Sequence, residues 1–141
     1  MPYVTQQELI DRYSENVLLS LADRDNDSVI DADVVEQAIG DASELIDSYL
    51  AKRYTLPLPV VPAPLKRVCG DIAIYLLCGD GTVTDEKRKR YEDAIRFLMA
   101  LAKGDASLGV GLEQDSSNSV GHVELDSSPR LFKRETMRGV L

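Results

Sequence analysis

Four prolines fall within ten residues, TLPLPVVPAP at 55–64. Proline lacks an amide donor and its ring fixes φ, so neither a helix interior nor a central strand can pass through this stretch. The segment is held near polyproline II and acts as a stiff connector rather than a floppy linker. It ends whatever precedes it and sets the start of whatever follows.

The residues on either side are helical in pattern. From Asp33 to Tyr54, apolar residues recur at spacings of three and four: Val35, Ala38, Ile39, Ala42, Leu45, Ile46, Tyr49 and Leu50. Glu36, Asp41, Glu44, Asp47 and Ser48 take the other side, which predicts one long amphipathic helix. Gly40 lies inside it, at a cost of roughly 1 kcal/mol, and reads as a point of close packing by a neighbouring helix. After the prolines, PLKRVCGDIAIYLLCG at 64–79 opens on proline and closes on glycine. Its second half is apolar all round and belongs at the centre of a bundle.

Two short helices precede these. TQQEL at 5–9 has the form of a capping box, with Thr5 as cap and Glu8 reaching back. Ser14 is placed to cap a second helix running to about Asp23. A last helix restarts at Thr84, carries Asp85 and Glu86 where the helix dipole favours acids, and ends at Gly104. Tyr91, Ala94, Ile95, Leu98, Leu101 and Ala102 form its apolar stripe. The expected fold is all-α, a small bundle of about four to five helices over 1–104. An extended arm, partly disordered or with a short strand near 120–125, follows over 105–141.

A chain of 141 residues with 44% hydrophobic content can bury a core without staples. Cys69 and Cys78, nine residues apart on one helix, face opposite ways and read as free thiols. No stretch is apolar enough to cross a membrane, and the N-terminus has no signal-peptide pattern. The net charge is −8, which argues against nonspecific binding of DNA by the whole surface. The charge is uneven. Residues 126–141 hold four bases against two acids, +2, leaving −10 on residues 1–125. An acidic body with a basic tail suits docking onto acidic neighbours, including copies of itself; a solvated tail of mixed charge is the plainer reading.

DRDNDSVIDADV at 23–34 places Asp23, Asp25, Asp27 and Asp31 where a calcium loop has ligands. Ser28 replaces the usual glycine and resists a left-handed turn, and Val34 supplies no oxygen where a bidentate glutamate belongs. Acids of this kind also serve loops and helix caps, with Asp31 or Asp33 capping the long helix. The run KRKR at 87–90 is either a nucleic-acid patch or an exposed helix face beside Glu86 and Glu92. The single histidine, His122, and two separated cysteines make no zinc site, and no catalytic constellation can be assembled. No enzyme activity and no cofactor are expected.

The strings DASELIDSYLAKRYTLPL (41–58), PAPLKRVCGDIAIYLL (62–77) and PRLFKRETMRGVL (129–141) resemble the virion protein of Mu-like phages and prophages encoded near the major head protein. Glu135 stands where Asp is more usual. That family is similar to the helical head-completion adaptors of long-tailed phages. The resemblance implies a neck protein of the virion, present in the host cytoplasm during assembly. It would form a ring, usually of twelve, beneath the portal, and join head to tail with DNA passing through without specific binding. Portal and tail or neck proteins would be its partners. Arg130, Phe132, Lys133, Arg134 and Met137 are the expected contacts, because arginine and aromatic residues make good anchors. A calcium-responsive helical binding protein and a small DNA-binding regulator are the alternatives.

Overall fold

The computed structural model describes residues 2–79 and 81–109. Within them the chain forms α1 (Gln6–Tyr13), α2 (Glu15–Ala22), α3 (Ala32–Leu50), α4 (Ala63–Leu77) and α5 (Asp85–Lys103). No strand occurs among the described residues. The expected all-α bundle of four to five helices is what is found. The short strand expected near 120–125 lies outside the described residues.

α4 is the central helix. It packs against α3, α5 and α2, and buries Leu65, Val68, Cys69, Ile72, Ala73, Ile74 and Leu77. Each fully buried Leu or Ile contributes roughly 1.5–3 kcal/mol. The helix is buried on most sides, as its apolar run suggested, and open on one. Leu76 is exposed, and Tyr75 reaches the edge to stack on Tyr91 of α5 with ring centroids 4.0 Å apart. α5 buries Ala94, Leu98 and Leu101 and leaves Tyr91, Ile95 and Ala102 half-buried at the margins of its stripe.

The helix ends show which local signals held. Thr5 and Glu8 form the full capping box: the Glu8 amide donates to Thr5 Oγ1 at 3.2 Å, and the Thr5 amide to Glu8 Oε2 at 2.9 Å. Thr84 caps α5 through the Lys87 amide, and Gly104 closes it with φ 89°. Ser14 differs from expectation. It joins α1 to α2 with φ 83° and its hydroxyl caps nothing. Its amide instead donates to the Ile10 carbonyl at 2.9 Å, so the residue serves the end of α1. α3 stops at Leu50, short of the expected Tyr54. The Arg53 and Tyr54 amides both return to the Leu50 carbonyl, at 3.0 and 2.8 Å. This tight turn swings Tyr54 into the core ahead of the proline segment, which also contributes buried Leu58. The Leu56–Pro57 peptide is cis.

The first residues are part of the core. Tyr3 and Val4 are buried, and the Tyr3 amide donates to Ser43 Oγ at 3.2 Å. Tyr3 Oη donates to Asp47, and Tyr13 Oη to Asp71. Burial and these carboxylate partners push both phenols well above the ordinary tyrosine range. Burial likewise pushes the Cys69 thiol up, leaving it protonated and unreactive at neutral pH. Both cysteines are free, with Cys69 buried and Cys78 half-buried.

Candidate functional site

The acidic stretch is the α2–α3 loop. Carboxylate oxygens of Asp23, Asp25 and Asp27 lie within 4.8 Å of one another. Asp31 is not in that group. Its Oδ2 accepts the Arg24 amide at 2.9 Å, and the side chain does not cap the helix, although the residue occupies the N-cap position of α3. Asp23 accepts the amides of Asp27 and Ser28 at 3.1 and 3.0 Å, and Asp27 accepts the Val29 amide at 2.9 Å. These are loop-closing turns of the kind Asp favours. Ser28 was expected to resist the left-handed turn, yet it adopts φ 66°, as Asn26 does at 63°. The bond from its amide to Asp23 holds it there.

Local desolvation, then the neighbouring charges of Asp27 and Asp31, raise the Asp25 carboxyl above its ordinary range. Three carboxylates alone do not complete a calcium shell, which takes six to eight oxygens. Val34 sits in the first turn of α3 and brings none.

The KRKR run lies on the outer face of α5. Arg88, Lys89 and Arg90 are exposed, and Arg90 Nη2 pairs with Glu86 Oε1 at 2.6 Å. An i,i+4 pair of this kind is a feature of a solvated helix face. The expected contact residues Arg130, Phe132, Lys133, Arg134 and Met137 lie outside the described residues.

A different surface emerges from the packing. Glu36, Gly40 and Glu44 follow one another along α3 at four-residue spacing. Together with Ile39 and Ser43 they border a groove of about 440 Å³, whose other wall is Pro2, Val4, Thr5 and Gln6. Val4 and Ile39, only 4% and 3% exposed, form its apolar floor. Among the described residues, a Cβ built on Gly40 would meet nothing within 4 Å, so no described helix packs closely there, contrary to the sequence expectation. Asp33, Glu36, Asp41 and Glu44 stand exposed on α3, and none forms an ion pair among the described residues. The acids of this face were visible in the periodicity. The groove was not, because its second wall comes from Pro2, Val4 and Thr5, which precede α1 and carry no helical pattern, with Gln6 at the start of that helix.

The comparisons with known proteins agree along the whole chain. The family model described as "Bacteriophage Mu, Gp36" matches residues 3–125. The Mu-like prophage FluMu protein gp36 of Haemophilus influenzae is 39% identical over 139 residues, covering 99% of this chain and 98% of the relative. Gene product J of Escherichia phage Mu is 36% identical over 137 residues, covering 96% of each.

Proposed function

This chain belongs to the bacteriophage Mu Gp36 family, and on that premise we propose that it is a structural subunit of the phage neck, a head-completion adaptor. Copies assemble as a ring, with twelve the expected number, beneath the portal and join the DNA-filled head to the tail. The partners are the portal, the adjoining neck or tail proteins and further copies of itself. The role is one of assembly and not of catalysis, and the protein acts in the virion after assembling in the host cytoplasm. The observation that carries this reading is the end-to-end similarity to a protein of phage Mu, in a chain whose body is a helical bundle and whose last residues are basic and apolar.

The charge supports the same reading. The body carries −10 over residues 1–125. A ring of such subunits repels DNA and lets it slide through without sticking.

The test is electron microscopy of particles from a phage whose copy of this gene is stopped early. DNA-filled or leaking heads beside separate, finished tails are the expected result. Intact, infectious particles would overturn the reading. Two titrations separate the alternatives. Calorimetry at about 1 mM calcium, the weak end of the range for such loops, is expected to show no heat. A DNA gel shift that weakens steeply with salt would favour the regulator instead.

A further inference from the structure

We propose that the groove at Gly40 on α3 is the docking site for the basic, apolar C-terminal segment, residues 129–141, of a second copy of this chain. The proposal rests on the adaptor reading above, because it supplies the contact between neighbouring subunits that a ring requires.

Gly40 is the first argument. A glycine in a helix interior costs roughly 0.5–1 kcal/mol relative to alanine. Here the body's own packing does not call for it: a Cβ would meet nothing within 4 Å, and the backbone is ordinary helix. A residue that leaves space on the surface at a cost to its own helix fits a site that something else fills.

The groove's chemistry is the second. Its apolar floor, Val4 and Ile39, accepts an apolar side chain, and about 440 Å³ falls within the size range of ligand pockets. Glu36 and Glu44 stand on its rim one helical turn to either side of Gly40, and Asp33 and Asp41 are exposed on the same helix outside the groove. None of these four acids has a basic partner among the described residues.

The third argument is complementarity with the end of the chain. PRLFKRETMRGVL carries Arg130, Lys133, Arg134 and Arg138 against Glu135 alone, a net +3, interleaved with Leu131, Phe132, Met137, Val140 and Leu141. Phe132 on the floor with Arg130 and Arg134 toward Glu36 and Glu44 pairs an aromatic anchor with charge-assisted bonds. The twenty residues between Gly109 and Arg130 give ample reach to an adjacent subunit, since extended chain spans roughly 3.3–3.6 Å per residue. A contact made by one surface of each copy to a different surface of the next is heterologous, the type that closes into rings.

The experiment uses the full chain carrying Gly40→Cys and Phe132→Cys, with Cys78→Ser to remove the half-buried native thiol, under mild oxidation. Covalent dimers and higher ladders on non-reducing gels are expected. A fast-migrating, internally bridged monomer would overturn the proposal by showing that the segment occupies its own groove, and so would the absence of any bridge. A charge exchange gives the second readout. Glu36→Arg with Glu44→Arg, or Arg130→Glu with Arg134→Glu, is expected to cut the bridging yield roughly tenfold. Combining both pairs should restore it, and failure to restore would count against the pairing. Both pairs lie at exposed positions or outside the bundle's helices, so an unchanged helical signal serves as the folding control. The two ideas fail separately. Loss of the bridge with separated heads and tails in the stopped phage leaves the adaptor role and removes the groove. A bridge with intact, infectious particles does the reverse.

Discussion

At the residue scale, two helical glycines respond oppositely to an added side chain. A Cβ at Gly40 meets nothing within 4 Å, whereas one at Gly70 of α4 meets Tyr13 Cε2 and Oη at 3.3 Å and Leu9 Cδ2 at 3.4 Å. Tyr13 cannot easily yield, because its hydroxyl is bonded to Asp71 on the same helix as Gly70. Gly40→Ala is therefore expected to stabilise the bundle by about 0.5–1 kcal/mol, and Gly70→Leu to destabilise it by about 1–3 kcal/mol through overpacking. Urea unfolding followed by circular dichroism measures both. Tyr13→Phe leaves Asp71 without its donor and should cost about 1–3 kcal/mol, while Gly70→Leu in that background should cost less than in the wild type, since the clashing hydroxyl is gone and the ring is no longer tethered to Asp71. The sequence shows Gly70 only as one more small residue in an apolar helix. Its reason is the phenol of Tyr13, 57 positions away in the chain and in contact only once α1 lies across α4.

At the scale of elements, the helices are held by ends as well as by faces. α1 is only eight residues, too short to persist alone, so its cap and its tie to α4 matter. Thr5→Ala removes the hydroxyl that takes the Glu8 amide and is expected to cost about 1 kcal/mol. Glu8 also pairs with Lys66 Nζ of α4 at 2.7 Å. That bond and the Thr5 amide hold its carboxyl below the ordinary glutamate range. A carboxyl lowered in the folded state adds stability that is fully present above its unfolded value. The contribution is lost as pH falls through the folded value, that is, below the ordinary 4.5. Both side chains are 39% exposed, so solvent screens the pair and the effect is small. Acid titration of the urea midpoint should show a shallower loss below that pH in Glu8→Gln than in the wild type. The capping box, the Thr84 start of α5 and its Gly104 stop are legible because each is a signal within four residues. The end of α3 is less so, since the turn at 51–53 depends on Tyr54 finding the core.

At the scale of the whole molecule, the described residues already enclose a continuous core, from Tyr3 and Val4 through Leu9, Leu18 and Ile46 to Leu98 and Leu101. Deleting residues 126–141 should leave the helical signal and melting temperature unchanged while abolishing assembly into particles; loss of the helical signal would show that the C-terminal residues support the bundle. The sequence by itself determined the number and kind of helices, the central place of α4, and the division of charge between an acidic body and a basic end. Those follow from period, proline and glycine placement and composition, which are local properties of a chain. Only the tertiary structure decided where Ser14 and Asp31 spend their polar groups, why Gly70 must stay small, and that the residues before α1 fold against α3 to leave a groove at Gly40. Each of these depends on which surfaces meet, and that is set by packing of residues tens of positions apart, for which no periodic signal exists.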